Sequence, residues 1–355
     1  MILTYKIKHH QDFSEELAKA RQVALAAVEH GYSSSSQVKC FGLKSMLSNQ
    51  ILRKYGRNKK IKRVSRANLI VPSQGVRVDF DKCELRVPCL DVILPYCFSG
   101  FSKVNQIEFD REYAFVAVTV TEPPLFVPSE WLGVDLNTTG HCCVVGNPTT
   151  GKVLKLGKKA YHTHRKYKNQ RRRLQKKHKF GMVKGIKNRE SRIVRELNHQ
   201  ISRKVVDYAL ASNAGIVLED LSGIRGTKKQ RKSFRYSLHS WSFYQLRSFV
   251  EYKAKLLGVP VVTIDPAYTS QQCSRCGLLG KRNKKHFECP SCGHVEHADV
   301  NASFVIALRH QGVVQSPVER DAGEGSTDTP QKATAQRMQP LEPPEFISGS
   351  MSASN

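Results

Sequence analysis

Leu3, Tyr5 and Ile7 alternate with polar residues at the start of the chain, the two-residue period of a half-buried strand over residues 1–8. An Ala-rich stretch follows to about His30, with Asp12 placed to cap it, Glu15 at the capping-box position and Gly31 to stop it. A second helical stretch is expected from about Ser36 to Tyr55. From about Asn68 to Val120 short apolar runs recur between turn residues: Val76, Val78 and Phe80, then Val92 to Leu94, then Tyr113 to Val120. That spacing predicts a small β-barrel or sandwich at 1–10 and 66–128, interrupted after its first strand by a helical insert at 11–65. Pro123, Pro124 and Pro128 mark a boundary.

Beyond Trp131 the pattern becomes mixed α/β. Strands at Leu132 to Leu136, Cys142 to Val145 and Val153 to Leu156 read as a meander. A long helical region follows, with Ile193, Leu197, Ile201, Val205 and Tyr208 on one face. Then come a strand from Ile216 to Glu219, a helix from about Leu238 to Leu257 stopped by Gly258, and a strand from Val259 to Ile264. Trp241, Phe243, Leu246, Phe249, Val250 and Leu257 give that helix a core-facing side. A cysteine-rich insert occupies 270–293, and a last helix starts near Asp299. From 311 to 355 the chain turns to Gly, Ser, Thr, Pro and acids, a composition that predicts a disordered tail. No internal repeat is visible.

Charge changes the picture most. The 355 residues carry 57 Lys+Arg against 30 Asp+Glu, a formal +27. A field of that sign attracts phosphates, and neutralising them releases counterions. An acidic membrane surface would also respond, but no lipidation motif, basic amphipathic helix, spanning apolar run or signal-peptide core is present, so the expected setting is cytoplasmic. The hydrophobic fraction of 40% excludes wholesale disorder. Residues 51–66 hold Arg53, Lys54, Arg57, Lys59, Lys60, Lys62, Arg63 and Arg66 with no acid. A solvated run is the plain reading, yet eight like charges repel one another unless a polyanion lies alongside. Between Lys152 and Arg192 stand 17 Lys or Arg and one acid, Glu190, with Tyr161, His162, His164, Tyr167 and His178 interleaved as base stacking would favour. Candidate nucleic-acid contacts are therefore Arg53, Lys54, Arg57, Lys59, Lys60, Arg165, Lys168, Arg171 and Arg172. The run Lys228, Lys229, Arg231, Lys232, Arg235 is as well explained by a surface loop.

Two constellations carry chemistry. Cys273-Ser-Arg-Cys276 and Cys289-Pro-Ser-Cys292 are paired knuckles, each followed by glycine, Gly277 and Gly293. Four thiolates at this spacing close a tetrahedral zinc and leave no open position, so the ion would be structural. His286, His294 and His297 are nearby substitutes. The other six cysteines (Cys40, Cys83, Cys89, Cys97, Cys142, Cys143) lack such spacing and read as buried thiols. The second constellation is three carboxylates. Asp135 lies in a strand, Glu219 ends the apolar run Ile216-Val217-Leu218, and Asp299 stands where a helix begins. Singly, Asp135 could shape a turn, Glu219 could pair with an arginine, and Asp299 could be an N-cap. Together, across a β-β-β-α-β-α framework, they match the arrangement by which RNase H-like nucleases bind two Mg²⁺ or Mn²⁺ about 3.5–4 Å apart.

The motifs GVDLN (133–137), VLEDL (217–221), DPAYTSQQCSRCG (265–277), CPSCG (289–293) and HADVNAS (297–303) closely resemble TnpB proteins, the RNA-guided nucleases of insertion sequences, related to type V CRISPR effectors. The resemblance runs from about Trp131 to His310. Before that it is architectural, a barrel with a helical insert looking like the family's wedge and recognition modules. It implies an RNase H-like (RuvC) core at 129–269 and 294–310 with an inserted zinc ribbon at 270–293. It also implies catalytic acids at Asp135, Glu219 and Asp299, and one structural Zn²⁺ on Cys273, Cys276, Cys289 and Cys292. Further implications are two Mg²⁺ or Mn²⁺ on the acids, a guide RNA, a target DNA, and a monomeric protein in a ribonucleoprotein encoded by a transposable element. Many relatives read Asp-Arg-Asp where this chain has His297-Ala298-Asp299; the final acid is kept. A nuclease-inactive RNA-guided repressor, a transposase that joins DNA ends, and a zinc-ribbon protein coating nucleic acid remain rival expectations.

Overall fold

Alternation turns Leu3, Tyr5 and Ile7 inward along β1 (Ile2–Lys8), in a computed structural model that describes residues 1–58, 60–221 and 243–315, with only the backbone of Lys187 and Phe243. Expectations placed on Lys59, on Lys228, Lys229, Arg231, Lys232 and Arg235, on Trp241 and on the tail beyond Gln315 lie outside those residues. Four strands follow that the first layer needs: β2 (Leu69–Pro72), β3 (Arg77–Asp79), β4 (Glu84–Val87) and β5 (Val92–Pro95). With β6 (Phe101–Phe109) and β7 (Tyr113–Val120) they form two antiparallel sheets, one ordered β1-β7-β6-β2 and one ordered β3-β4-β5. Strict period-2 burial of Ala114, Val116, Val118 and Val120 sets the register of β7.

The helical insert is α1 (Ser14–Glu29), a 3₁₀ turn at Ser35–Phe41 and α2 (Ser45–Gly56). The second stretch is thus two pieces, broken at Gly42 with φ +66°. Asp12 does not cap α1 as its sequence position suggested. The N-cap is Phe13, Asp12 accepts from Ser14 N and Oγ, and Glu15 pairs with Lys19 instead of closing a capping box. Phe13 is buried with Val23, Leu47 and Ile51 against Leu69, Ile107, Phe109 and Val116, one core shared by helices and sheets. Each such buried side chain contributes about 1.5–3 kcal/mol.

The second core is built on a five-stranded mixed sheet, ordered β10-β9-β8-β11-β12. Its strands are β8 (Glu130–Leu136), β9 (Cys143–Gly146), β10 (Val153–Leu156), β11 (Ala214–Glu219) and β12 (Val261–Ile264). The first three form the expected meander, and β11 runs parallel to both β8 and β12. Parallel neighbours need crossovers. These are α3 (Lys158–Lys176) with α4 (Phe180–Ala211), and the connection containing α5 (Phe243–Leu256).

Period 2 then sorts the sheet into two faces. Leu132, Val134, Cys143, Val145, Ile216 and Leu218 pack on Ile201, Val205 and Ala209 of α4 and on Leu246, Val250 and Ala254 of α5. The residues between them, Gly133, Asp135, Gly146 and Glu219, face α6 (Ala298–His310). Two of these must be glycine. A Cβ on Gly133 would lie 1.9 Å from the Ser303 carbonyl oxygen, and one on Gly146 would lie 2.3 Å from Ser303 Oγ. The helix therefore sits directly on the strands.

A third, small sheet, β13 (Lys281–Asn283), β14 (His286–Glu288) and β15 (Val295–His297), carries the cysteine knuckles around Phe287. The chain does not lose order at Gln311 as its composition suggested. Val314 is buried and the Gln315 carbonyl accepts from Gln272 Nε2 at 2.6 Å, because one apolar side chain finds cover beside Gly277.

Candidate functional site

Close contact between α6 and the sheet explains where the acids meet. Gly133 and Asp135 share a face of β8, while Ser303 and Asp299 are one helical turn apart on α6. Seating Ser303 over Gly133 therefore carries Asp299 toward Asp135. Parallel pairing of Leu218 with Val134 brings Glu219, the next residue of β11, beside Asp135 from the other side. All three acids are buried: Asp135 is 7% exposed, Glu219 8% and Asp299 1%.

Each carboxylate has its own holder. Asn137 Nδ2 donates to Asp135 Oδ2 at 2.7 Å, and Thr269 Oγ1 donates to Glu219 Oε1 at 2.5 Å. Arg282 Nη2 donates to Asp299 Oδ1 at 2.9 Å and Lys285 Nζ to Oδ2 at 2.5 Å. Arg309, in the last turn of α6, donates to the Ala267 carbonyl at 2.6 Å and lends positive potential to Glu219. Burial, then the negative charges of Glu219 and Asp299, push the Asp135 carboxyl up to about 8. Burial likewise raises Glu219, with Thr269 and the nearby arginines opposing it. Three acids crowded out of water lack enough positive charge among themselves, and an all-oxygen donor set suits hard divalent cations. Asp299 is not the N-cap of α6; His297 is, and the Asp299 carboxylate turns away to its two cations.

Sequence reasoning singled out the acids and missed their holders. Thr269 lies inside the quoted stretch DPAYTSQQ, and Asn137 inside GVDLN, so proximity to a motif was the available signal. Arg282 and Lys285 carried none, since they reach Asp299 only through the β13–β14 hairpin.

The four cysteines come together by local geometry. Their Sγ atoms all lie within 4.8 Å of one another, with Cys273 to Cys292 at 3.7 Å and Cys276 to Cys289 at 3.5 Å. A tetrahedral ion with bonds of about 2.3 Å requires an edge of about 3.8 Å, so the group can hold zinc. Gly277 and Gly293 take φ of +75° and +69°, letting their N–H groups reach the Cys273 and Cys289 carbonyls at 3.0 and 2.9 Å. Burial opposes thiolate formation at Cys289, but N–H groups of Cys292 and Ser291 outweigh it and bring the thiol to about 7. Of the other cysteines, Cys142 and Cys143 are buried, and burial pushes Cys142 up to about 12. Cys40, Cys83 and Cys97 are exposed, contrary to the expectation of buried thiols, because Cys83 and Cys97 sit at turns beside β4 and β5 and Cys40 on the outer side of a 3₁₀ turn.

Two expected nucleic-acid contacts are already engaged. Lys54 Nζ bonds both oxygens of Glu108, at 3.0 and 2.9 Å, and Arg171 bonds Glu190. Glu190 also lies 2.9 Å from His164 Nδ1, which ties α3 to α4. Burial opposes the Glu190 charge, and the hydrogen bonds from His164 and Arg171 outweigh it, holding the carboxyl low. His164 and Tyr167 are buried in that helix pair, so they are packing residues and not free stacking surfaces. The lone acid among 17 cations was the signal for this internal tie. Arg53, Arg57, Lys60, Arg165 and Arg172 are exposed, and Lys168 is half-buried.

A family model described as Cas12f1-like, TNB domain, matches residues 243–306, which include both knuckles and Asp299. The chain is similar to a TnpB-like protein of Methanocaldococcus jannaschii, 35% identical over 158 residues, 42% of this chain and 57% of that protein. It is also similar to a TnpB-like protein of Aquifex aeolicus, 28% identical over 236 residues, 58% of this chain and 77% of that one. The chain is therefore similar to TnpB-like proteins over part of its length. A CRISPR-associated endodeoxyribonuclease, Cas12f1 of Sulfoacidibacillus thermotolerans, is 38% identical over 115 residues, 31% of this chain. The chain thus spans 26% of the length of that Cas12f1 and 57% of the M. jannaschii protein. Among its described residues no helix is long and apolar enough to cross a membrane.

Proposed function

We propose that this chain is a TnpB-family RNA-guided DNA endonuclease encoded by a transposable element. Its nuclease core would be RNase H-like (RuvC) at 129–269 and 294–310, with a zinc ribbon at 270–293. A wedge-like barrel at 1–10 and 66–128 and a recognition insert at 11–65 would precede it. The observation that carries the reading is the burial of Asp135 and Glu219 on one sheet face with Asp299 of α6 brought against it. Nothing in a plain nucleic-acid coat calls for three crowded acids inside a chain of net charge +27.

Asp135, Glu219 and Asp299 would hold two Mg²⁺ or Mn²⁺, which when bound supply an activated water and neutralise charge on a DNA phosphodiester. The protein's own part is positioning. Asn137 fixes one oxygen of Asp135, and Thr269 fixes one oxygen of Glu219, leaving the other free. Arg282 and Lys285 hold Asp299 by ion pairs and stand where phosphate charge would arrive. Cys273, Cys276, Cys289 and Cys292 would hold one structural Zn²⁺ that fixes the hairpin bearing those two cations. Guide RNA would supply sequence recognition by base pairing, with the exposed cations binding backbone phosphates of RNA and target DNA. A monomeric protein within the ribonucleoprotein, acting in the cytoplasm or nucleoid, is the simplest assembly.

The test is to purify the chain, sequence the RNA that accompanies it, and supply DNA matching that RNA. A discrete structured RNA and cleavage confined to the matched DNA are expected. Full-rate cutting by protein stripped of RNA would contradict guidance.

A further inference from the structure

The turn between α3 and α4 presents two large apolar side chains to solvent in the most basic part of the chain. Phe180 is 62% exposed and Met182 58% exposed. Around them Lys176, Lys177, Lys179 and Lys184 are all exposed. The turn is an ordered device. Lys177 N and Lys179 N both donate to the Leu174 carbonyl, at 3.1 and 3.0 Å, and His178 takes φ +54° between them. That reversal throws Phe180 out at the first position of α4, with the His178 ring edge-on to it at 5.9 Å and 71°. A Cβ added to Gly181 or Gly185 would meet nothing within 4 Å, so among the described residues that side of the first turns of α4 is open.

Scattered exposed apolar residues are ordinary. This pair differs because its surroundings fit one occupant. The only acid between Lys152 and Arg192 is Glu190, and it is tied inward to His164 and Arg171. The tip is therefore an aromatic face ringed by cations whose own segment offers no competing carboxylate. A flat apolar ring flanked by positive charge complements an unpaired base flanked by phosphates.

We propose that the α3–α4 tip is a stacking platform on which Phe180 receives an unpaired base of a nucleic-acid strand. Lys176, Lys177, Lys179 and Lys184 engage the neighbouring phosphates, and Met182 packs on the base edge. The platform rests on the nucleic-acid-binding half of the proposed function and not on the acid site.

The experiment uses the full chain, freed of bound nucleic acid in high salt, with single-stranded DNA and RNA oligonucleotides carrying 2-aminopurine and no added divalent metal. Binding is expected to quench the probe. Phe180→Ala should restore fluorescence and weaken binding roughly tenfold, the effect of one lost base stack, while Phe180→Trp keeps both. The slope of log affinity against log salt should stay unchanged in Phe180→Ala. It should fall by about 1.4 in Lys176→Ala plus Lys179→Ala, about 0.7 per phosphate on a single strand. Thermal unfolding of Phe180→Ala should match the parent, because the ring buries little. Wild-type affinity and an equally quenched probe in Phe180→Ala would overturn the platform alone. Self-association lost in Phe180→Ala, with strand binding unchanged, would assign the patch to a second copy and overturn it too. Failure of the parent to bind either strand would overturn both the platform and the nucleic-acid reading beneath it.

Discussion

The chain contains a cysteine cluster shaped for a metal and a set of buried, neighbouring acids, built by opposite routes. The four cysteines lie within 20 residues, and each knuckle is shaped by its own glycine and by hydrogen bonds inside its own turn. The three acids come from β8, β11 and α6, with 83 residues between the first two and 79 between the last two. Strand pairing brings the first two together, and Asp299 joins them because Gly133 and Gly146 let a helix lie on the sheet. A locally closed site is written in spacing. A site assembled by tertiary packing is written in the residues that permit the packing, which carry no chemistry themselves. The hairpin joins the two, since β13 and its turn deliver Arg282 and Lys285 to Asp299.

Replacing Cys273 and Cys289 together by serine should have the largest effect on the local site. About one zinc per chain is expected in the parent and none in the variant, by elemental analysis. Hydrogen exchange should lose protection over 281–297 while β8 and β9 keep theirs. Equal loss in both regions would break the distinction between a local and an assembled site.

Gly133→Val attacks the assembled site from the other side. Its branched side chain meets the Ser303 carbonyl, so unfolding by denaturant should show a loss of about 3 kcal/mol from overpacking. Zinc content should remain that of the parent. A variant as stable as the parent would mean that α6 does not rest on the sheet at this point.

Acid crowding predicts a pH signature for divalent binding at the assembled site. Asp135 is raised from 3.8 to about 8 in the metal-free protein, so its protonated form is the one the fold favours. That contribution is fully present below pH 3.8 and is lost as pH rises through about 8. Metal binding must expel the proton, so Mg²⁺ affinity should climb across neutral pH and level off above about 8. Calorimetric titration at several pH values checks this, and a flat profile would remove the crowding argument. The smallest effect is expected from Thr269→Val, which leaves the Glu219 oxygen without its donor. It should weaken divalent binding by about tenfold with little change in fold stability.

The division also explains what could be read in advance. Strand positions, the meander and the two knuckles follow from period-2 burial and Cys spacing, which are local. Asp135 and Glu219 were conspicuous because an acid inside an apolar run is costly unless something compensates it. Thr269, Arg282 and Lys285 were not, because hydroxyls and cations are ordinary in loops and only the folded hairpin gives them an address. His164 and Tyr167 looked like stacking groups because a basic helix hides its buried face among charges. The compensating clue, one Glu among many cations, is a tertiary contact. Asp12 looked like a cap, and a single-residue shift of the helix start undid it. Helix ends depend on such small balances.

The central claim is that Asp135, Glu219 and Asp299 act as one divalent-metal centre that cuts DNA. It is tested most directly by pairing Asp135→Ala with the parent ribonucleoprotein on one matched target, measuring cleavage and binding together. The account predicts that cleavage falls by orders of magnitude while RNA content and DNA affinity persist. Undiminished cutting by the Asp135→Ala protein would contradict it.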